Sequence, residues 1–176
     1  MAHTAFIGLG SNLGDGNRIL QDAWGRIGRM EGVRTLTLSH PYLTAPVEMD
    51  SGNLFTNAVG MLQTILSARA LLECLLQVEA AFGRTRNASA AGYQDRPLDL
   101  DILYFDDLVL NTPELVLPHP RLDDRLFVLV PFAEISPDFR IPQEMYTISR
   151  RCALLREHLH GGSIPSQEIK KWEWEE

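Results

Sequence analysis

The chain has 176 residues, 45% of them hydrophobic, and a formal net charge of -7. This length suits one domain with a real core, and the acidic balance argues against a protein that grips duplex nucleic acid through its phosphates. No run approaches the ~20 apolar residues of a membrane span, so neither nucleic acid nor a membrane is expected as a partner.

Thr4 to Leu9 reads as a short apolar strand that ends at GSNLGDG. This run is too short for an export signal, and a cytoplasmic protein is expected. Asp15 or Asn17 can cap a helix running to about Met30, in which Ile19, Leu20, Ala23, Trp24 and Ile27 recur at helical spacing. Val33 to Leu43 alternates as a strand, TAPVEMDSGN makes a loop, and Leu54 to Leu66 alternates again. Ser67 caps a second helix from Ala68 to about Phe82, with Gly83 as its stop. Residues 84–97, RTRNASAAGYQDRP, are polar and lack an apolar period. A loop of that length in a compact domain points to function or disorder. Leu98 to Phe105 is a strand, and a hairpin leads to VLPHPRL. Asp124 to Ile135 is helical with an interruption at Pro131, and Thr147 to Leu159 is the last helix.

One domain is therefore expected over residues 1–160, followed by a loosely held tail at 161–176. The order strand, helix, strand, strand, helix, strand is the split βαβ arrangement, ferredoxin-like in outline. The predicted class is α+β, with a mixed or antiparallel sheet flanked by helices in three α-β-α layers. Cys74 and Cys152 lie in helical patterns and read as free thiols. A monomer is expected.

Lysine occurs only at Lys170 and Lys171, while Arg84, Arg86, Arg96, Arg121 and Arg125 gather in the middle of the chain. An acidic protein with a local arginine cluster suits a small anionic ligand such as a nucleotide. Between those arginines stands RPLDLDILYFDD. Asp99 and Asp101 are two apart on a strand, so they share a face with Cα atoms roughly 6–7 Å apart. Leu98, Leu100 and Ile102 turn the other way, into the core. At an effective dielectric of about 20 the two charges repel by roughly 2 kcal/mol. Magnesium offsets such repulsion, and it binds through one or two carboxylates plus substrate phosphates. For an isolated Asp-x-Asp, a solvated face or neutralisation by arginines is the simpler alternative. The loop arginines favour phosphoryl transfer, which uses arginine forks and Mg²⁺ to spread charge. Asp106 and Asp107 precede a turn and read as solvated.

Rival readings fit less well. Gly8, Gly10 and Gly14 approach a dinucleotide fingerprint, but Leu13 stands where its third glycine belongs. A nucleotidyltransferase would place its acidic pair within a short helix of Gly10-Ser11, whereas most of a domain intervenes before the Asp99/Asp101 pair. A ferredoxin-like small-ligand-binding module leaves the loop arginines and both aspartates unexplained.

Arg96-Pro-Leu-Asp99-Leu-Asp101-Ile-Leu follows Gly83-Arg84 and precedes Pro118-His119-Pro120-Arg121-Leu122. With Gly10-Ser11-Asn12-Leu13, Phe55-Thr56-Asn57-Ala58 and Arg125-Leu126-Phe127-Val128-Leu129, this series resembles the 6-hydroxymethyl-7,8-dihydropterin pyrophosphokinases over about residues 4 to 159. The resemblance implies an enzyme of tetrahydrofolate biosynthesis. It would move pyrophosphate from ATP to the hydroxymethyl group of the pterin alcohol and release AMP. Asp99 and Asp101 would hold two Mg²⁺ ions, with Arg84 and Arg96 assisting catalysis. Arg86 and Arg96 would grip phosphates as the loop moves; Arg84, His119 and Arg125 would serve the nucleotide, with Glu79 and Ile102 near the nucleoside. Asn57 would bond the pterin edge, Phe55 and Phe127 would sandwich its ring, and Thr44, Ala45, Pro46 and Val47 would line the pocket. Tyr93 stands where many members carry a lid tryptophan, Asn87 where lysine is common, and Glu114 where a basic nucleotide contact can occur.

Overall fold

A computed structural model describes residues 2–46, 51–84, 94–141, 144–160 and 167–175. The chain runs β1 (His3–Ser11), α1 (Gly16–Ile27), β2 (Val33–Leu38), β3 (Tyr42–Thr44), β4 (Phe55–Thr64), α2 (Ala68–Ala81), β5 (Asp99–Phe105), β6 (Leu110–Asn111), β7 (Val116–Leu117), α3 (Leu126–Ile135), α4 (Ile148–His160) and β8 (Ile169–Lys171). The main sheet has the order β5-β1-β4-β3-β8, with β2 also paired to β4, and every pairing is antiparallel. Each helical connection skips one strand. β1-α1-β2 leaves a gap that β4 fills, and β4-α2-β5 leaves a gap that β1 fills. This is the split βαβ arrangement expected from the element order.

The helices cover both faces of the sheet. On one face Leu20, Ala23 and Ile27 of α1 and Leu71, Leu75 and Val78 of α2 pack on Ala5, Ile7 and Leu9 of β1. On the other, Leu126, Leu129 and Phe132 of α3 and Ile148, Cys152 and Leu155 of α4 pack on Phe6 and Val59. These are the three α-β-α layers expected. Local signals act as anticipated at the helix ends. Asp15 accepts from the Arg18 N–H, Ser67 accepts from the Ala70 N–H, and Gly83 has φ of 86°, a conformation glycine adopts without steric penalty. Cys152 is buried and Cys74 half-buried, both as free thiols.

Three expectations need correction. The single strand expected over Val33 to Leu43 is two strands, β2 and β3, that pair in succession along β4. Ser39 bridges the break, donating its N–H to the Val59 carbonyl at 2.9 Å and accepting the Val59 N–H on its hydroxyl at 3.0 Å. Pro41 has no N–H with which to continue the ladder. Residues 167–175 are not a loose tail. β8 pairs with β3, the Trp172 N–H reaches the Pro41 carbonyl at 2.8 Å, and the Trp174 indole reaches the Ser39 carbonyl at 3.0 Å. An edge strand offers unpaired backbone groups, and this segment satisfies them. Asp106 is exposed but does more than meet solvent: it accepts from the Thr4 N–H at 2.7 Å and pairs with His3 Nδ1 at 2.6 Å.

Candidate active site

Register decides what stands beside the carboxylate pair. Asp99 lies opposite Gly10 and Asp101 opposite Gly8 on β1, while on the far side of β1 Gly10 lies opposite Asn57 and Gly8 opposite Val59. Directly opposed residues of an antiparallel pair share a face. Asp99, Gly10 and Asn57 therefore form one row, and Asp101, Gly8 and Val59 the next. Leu98, Leu100 and Ile102 are buried in the core of the other face, as alternation requires. The pairing slips between Phe6 and Ile7, so Leu103 and Tyr104 both join the core under α3 and α4. Leu103, two residues beyond Asp101 and so on its face, stands beside it as an apolar wall, and the irregularity adds Tyr104 to that face.

The row opens into a cavity. Gly8, Gly10, Asp99 and Asp101 stand in its floor, and Thr44, Ala45, Phe55, Asn57, Arg96, His119, Arg125 and Phe127 stand around it. Pro46, expected beside them, is not among the residues that line this cavity. The two glycines keep the floor flat. A Cβ on Gly10 would lie 3.3 Å from Asn57 Oδ1, and one on Gly8 would lie 3.3 Å from the Leu103 side chain. Asn57 is buried and donates its amide to the Thr44 hydroxyl at 3.0 Å, which turns its oxygen toward Gly10.

The arginines converge on Asp99. Arg84 Nη1 donates to Asp99 Oδ1 and to Glu79 Oε1, and Arg96 Nη2 lies 2.6 Å from Asp99 Oδ2. Glu79 is 2% exposed and also accepts the Leu100 N–H at 2.7 Å. Its role in this structure is to hold Arg84 against the edge of β5. Burial works against charge on Arg84, but Asp99 and Glu79 outweigh it and raise its pKa further. Burial also pushes the Asp101 carboxyl up to about 7, and the charges of Asp99 and Glu79 act in the same direction. The arginines neutralise Asp99, and the cluster around Asp101 has room for more positive charge.

His119 is pushed down to about 4 by burial and then by Arg125. Its Nδ1 accepts the Arg121 N–H at 3.2 Å, which leaves the proton of the neutral ring on Nε2. Two cation–ring contacts complete the cavity. Arg96 lies 5.6 Å from the Phe55 ring centre, and Arg125 lies 5.4 Å from that of Phe127.

The expected residues therefore divide. Asp99, Asp101, Arg96, His119, Arg125, Phe55, Asn57, Thr44, Ala45 and Phe127 share the cavity. Arg84 reaches it through Asp99. Glu79 and Ile102, placed near the nucleoside by resemblance, do not line the cavity: Glu79 reaches from α2 to the β5 backbone and Arg84, and Ile102 lies in the core between the sheet and the α1/α2 layer. Val47, Arg86 and Tyr93 fall outside the described residues. Sequence reasoning missed Gly8 and Gly10 as the floor, although small residues at alternate positions of an apolar strand were a signal. It also assigned no role to Asn12. That side chain accepts the Arg96 N–H at 2.8 Å and donates to Asp95 at 2.6 Å, while the Asn12 N–H donates to the Arg96 carbonyl at 3.2 Å. The end of β1 thus anchors the backbone of Arg96.

A family model described as 7,8-dihydro-6-hydroxymethylpterin-pyrophosphokinase (HPPK) matches residues 6–137, a span that holds the whole cavity. The chain belongs to the HPPK family. It is 38% identical over 140 residues to the 2-amino-4-hydroxy-6-hydroxymethyldihydropteridine pyrophosphokinase of Methylorubrum extorquens, covering 80% of this chain and 87% of that protein. It is likewise 38% identical over 135 residues to the Bacillus subtilis enzyme of the same name, covering 77% and 79%. Among solved structures, an HPPK-DHPS in complex with substrates superposes with a TM-score of 0.73 at 12% identity, over 93% of this chain and 45% of that one. Plasmodium falciparum HPPK-DHPS with pteroate gives the same score over 92% and 44%. This chain spans less than half of those longer chains, and at such identity the likeness shows the fold alone. Helix α4 and strand β8 lie beyond the span that the HPPK model matches.

Proposed function

We propose that this chain transfers the pyrophosphoryl group of ATP to the hydroxymethyl oxygen of 6-hydroxymethyl-7,8-dihydropterin and releases AMP, a step of tetrahydrofolate biosynthesis. The observation that carries the reading is one cavity that joins the Asp99/Asp101 pair to Phe55, Asn57 and Phe127, with arginines on both sides.

The carboxylates fit Mg²⁺. They are hard oxygen donors on one face, and burial and mutual repulsion push Asp101 up to about 7, as expected of a cluster short of positive charge. Among the described residues no group of three or more His, Cys, Asp or Glu side chains could hold a metal. Two carboxylates with substrate phosphates completing the shell is the usual magnesium arrangement. Asp99 and Asp101 would hold the two ions, and bound Mg²⁺ supplies charge neutralisation at the ATP phosphates.

The remaining work belongs to the protein side chains. Phe55 and Phe127 flank the pterin ring, and Asn57, its amide fixed by Thr44, offers its oxygen to the donor edge of the pterin. Ala45 stands at the rim, and Pro46, Val47 and Tyr93 are assigned to the same side of the pterin by resemblance. Arg96 and Arg84 carry fixed positive charge beside Asp99, and Arg86 belongs with them on the loop. Such charge stabilises what develops on the transferring group. Arg125 and neutral His119 face the nucleotide, with the His119 Nε2–H placed to donate. Glu79 acts by holding Arg84.

Product analysis tests the proposal. ATP, Mg²⁺ and the pterin alcohol should yield AMP. ADP would indicate an ordinary kinase and free pyrophosphate a nucleotidyltransferase. Thermal stabilisation by both ligands without turnover would favour a binding module.

A further inference from the structure

Helix α3 begins at Leu126, and Arg125 at its N-cap makes no side-chain capping bond. The first N–H groups of a helix need acceptors from elsewhere. Here the acceptor comes from the far end of the chain: Leu126 donates its N–H to Gln167 Oε1 at 2.8 Å. The same amide turns its Nε2 to the Asp124 carbonyl, also at 2.8 Å. One side chain thus grips the backbone on both sides of Arg125, and Phe127 follows directly. Two residues later Ile169 pairs with Thr44, whose hydroxyl orients Asn57. A single extended segment therefore braces two walls of the cavity, the start of α3 and the end of β3.

Gln167 does not line the cavity containing Arg125 and Phe127, so it can act there only through the backbone it holds. We infer that Gln167 is a positioning residue for the reaction, setting Arg125 against the nucleotide and Phe127 against the pterin ring. This rests on the roles given to those two residues above. The C-terminal segment is then part of the active-site framework although it lies outside the matched family span.

Steady-state kinetics on full-length variants test it. Gln167→Ala should raise KM for the pterin and for ATP about fivefold, the worth of a hydrogen bond of ordinary strength. Trp174→Phe removes a different hydrogen bond of the same segment, to the Ser39 carbonyl, and should leave both KM values near wild type. Gln167→Glu keeps an acceptor for the Leu126 N–H and should recover part of the loss, and it serves if Gln167→Ala folds poorly. Equal KM effects of Gln167→Ala and Trp174→Phe at matched Tm losses would reduce Gln167 to a stability contact and overturn the inference. So would wild-type KM values in Gln167→Ala while Phe127→Ala and Arg125→Ala are impaired. Wild-type constants in Phe127→Ala and Arg125→Ala would instead overturn the assigned site, and the inference with it.

Discussion

The Arg96 guanidinium lies 5.6 Å from the centre of the Phe55 ring, and its Nη2 is 2.6 Å from Asp99. One side chain thus covers a ring assigned to the pterin and neutralises a carboxylate assigned to the metal. On the proposed function, binding of ATP, Mg²⁺ and pterin would exchange these contacts for phosphate ones. Arg96→Ala removes both effects. It should lower kcat by about 10²-fold through lost charge stabilisation, while KM for the pterin stays level or falls because Phe55 is uncovered. A large rise in that KM with kcat intact, measured by AMP release, would contradict this role.

Asp101 carries the second half of the pair. Asp101→Ala should reduce turnover by at least about 10²-fold and abolish the magnesium dependence of ATP binding. The fold should survive, because the change removes a poorly solvated charge rather than a packed group. Circular dichroism melts beside isothermal titration with Mg-ATP check both parts. Wild-type turnover in this variant would sink the two-metal arrangement.

Two glycines separate function from stability. A Cβ at Gly10 would sit 3.3 Å from Asn57 Oδ1 in the cavity floor, so Gly10→Ala should raise the pterin KM about tenfold with little change in Tm. A Cβ at Gly60 would sit 2.4 Å from the Trp24 ring under α1, so Gly60→Ala should destabilise by about 1–3 kcal/mol and leave KM alone. Urea titration and kinetics on the two variants should give opposite patterns.

His119 sets a pH dependence. Burial, then Arg125, pushes it down to about 4, against about 6.5 in an unfolded chain. Between those values the unfolded state binds the proton and the folded state does not, so stability falls as pH drops from about 6.5 to 4. The share due to this residue is on the order of 2 kcal/mol after allowing for partial exposure. Between pH 7 and pH 4.5, wild type should lose about that much more unfolding free energy than His119→Gln, as urea unfolding measures it. Parallel profiles would show that His119 is not held neutral.

Much of the fold is legible locally because helix caps and alternation are short-range. Asp15, Ser67 and Gly83 mark helix ends within a residue or two, and the apolar set of β5 is fully buried. The break between β2 and β3 was not legible, since Thr-Leu alternation continues through Ser39 while Pro41 ends the ladder. The strand at Ile169–Lys171 is too short and too basic to announce itself, and its partner lies more than 120 residues away. In the site, residue types pointed to Asp99, Asp101 and Arg96. Nothing local distinguished Asn12 or Gln167, whose bonds run to backbone groups far along the chain.

By itself, the sequence determined that β5 presents two carboxylates on one face and leucine and isoleucine on the other. The reason is the two-residue period of a strand, a property of the backbone that holds in any fold. Tertiary structure alone decided what meets those carboxylates. Antiparallel register set Gly8 and Gly10 beside them, the end of α2 brought Arg84 to Asp99, and the edge of β3 drew residues 167–175 in to brace α3. Each of these depends on which strands become neighbours. That choice is made by burial of the whole core, and no stretch of sequence encodes it alone.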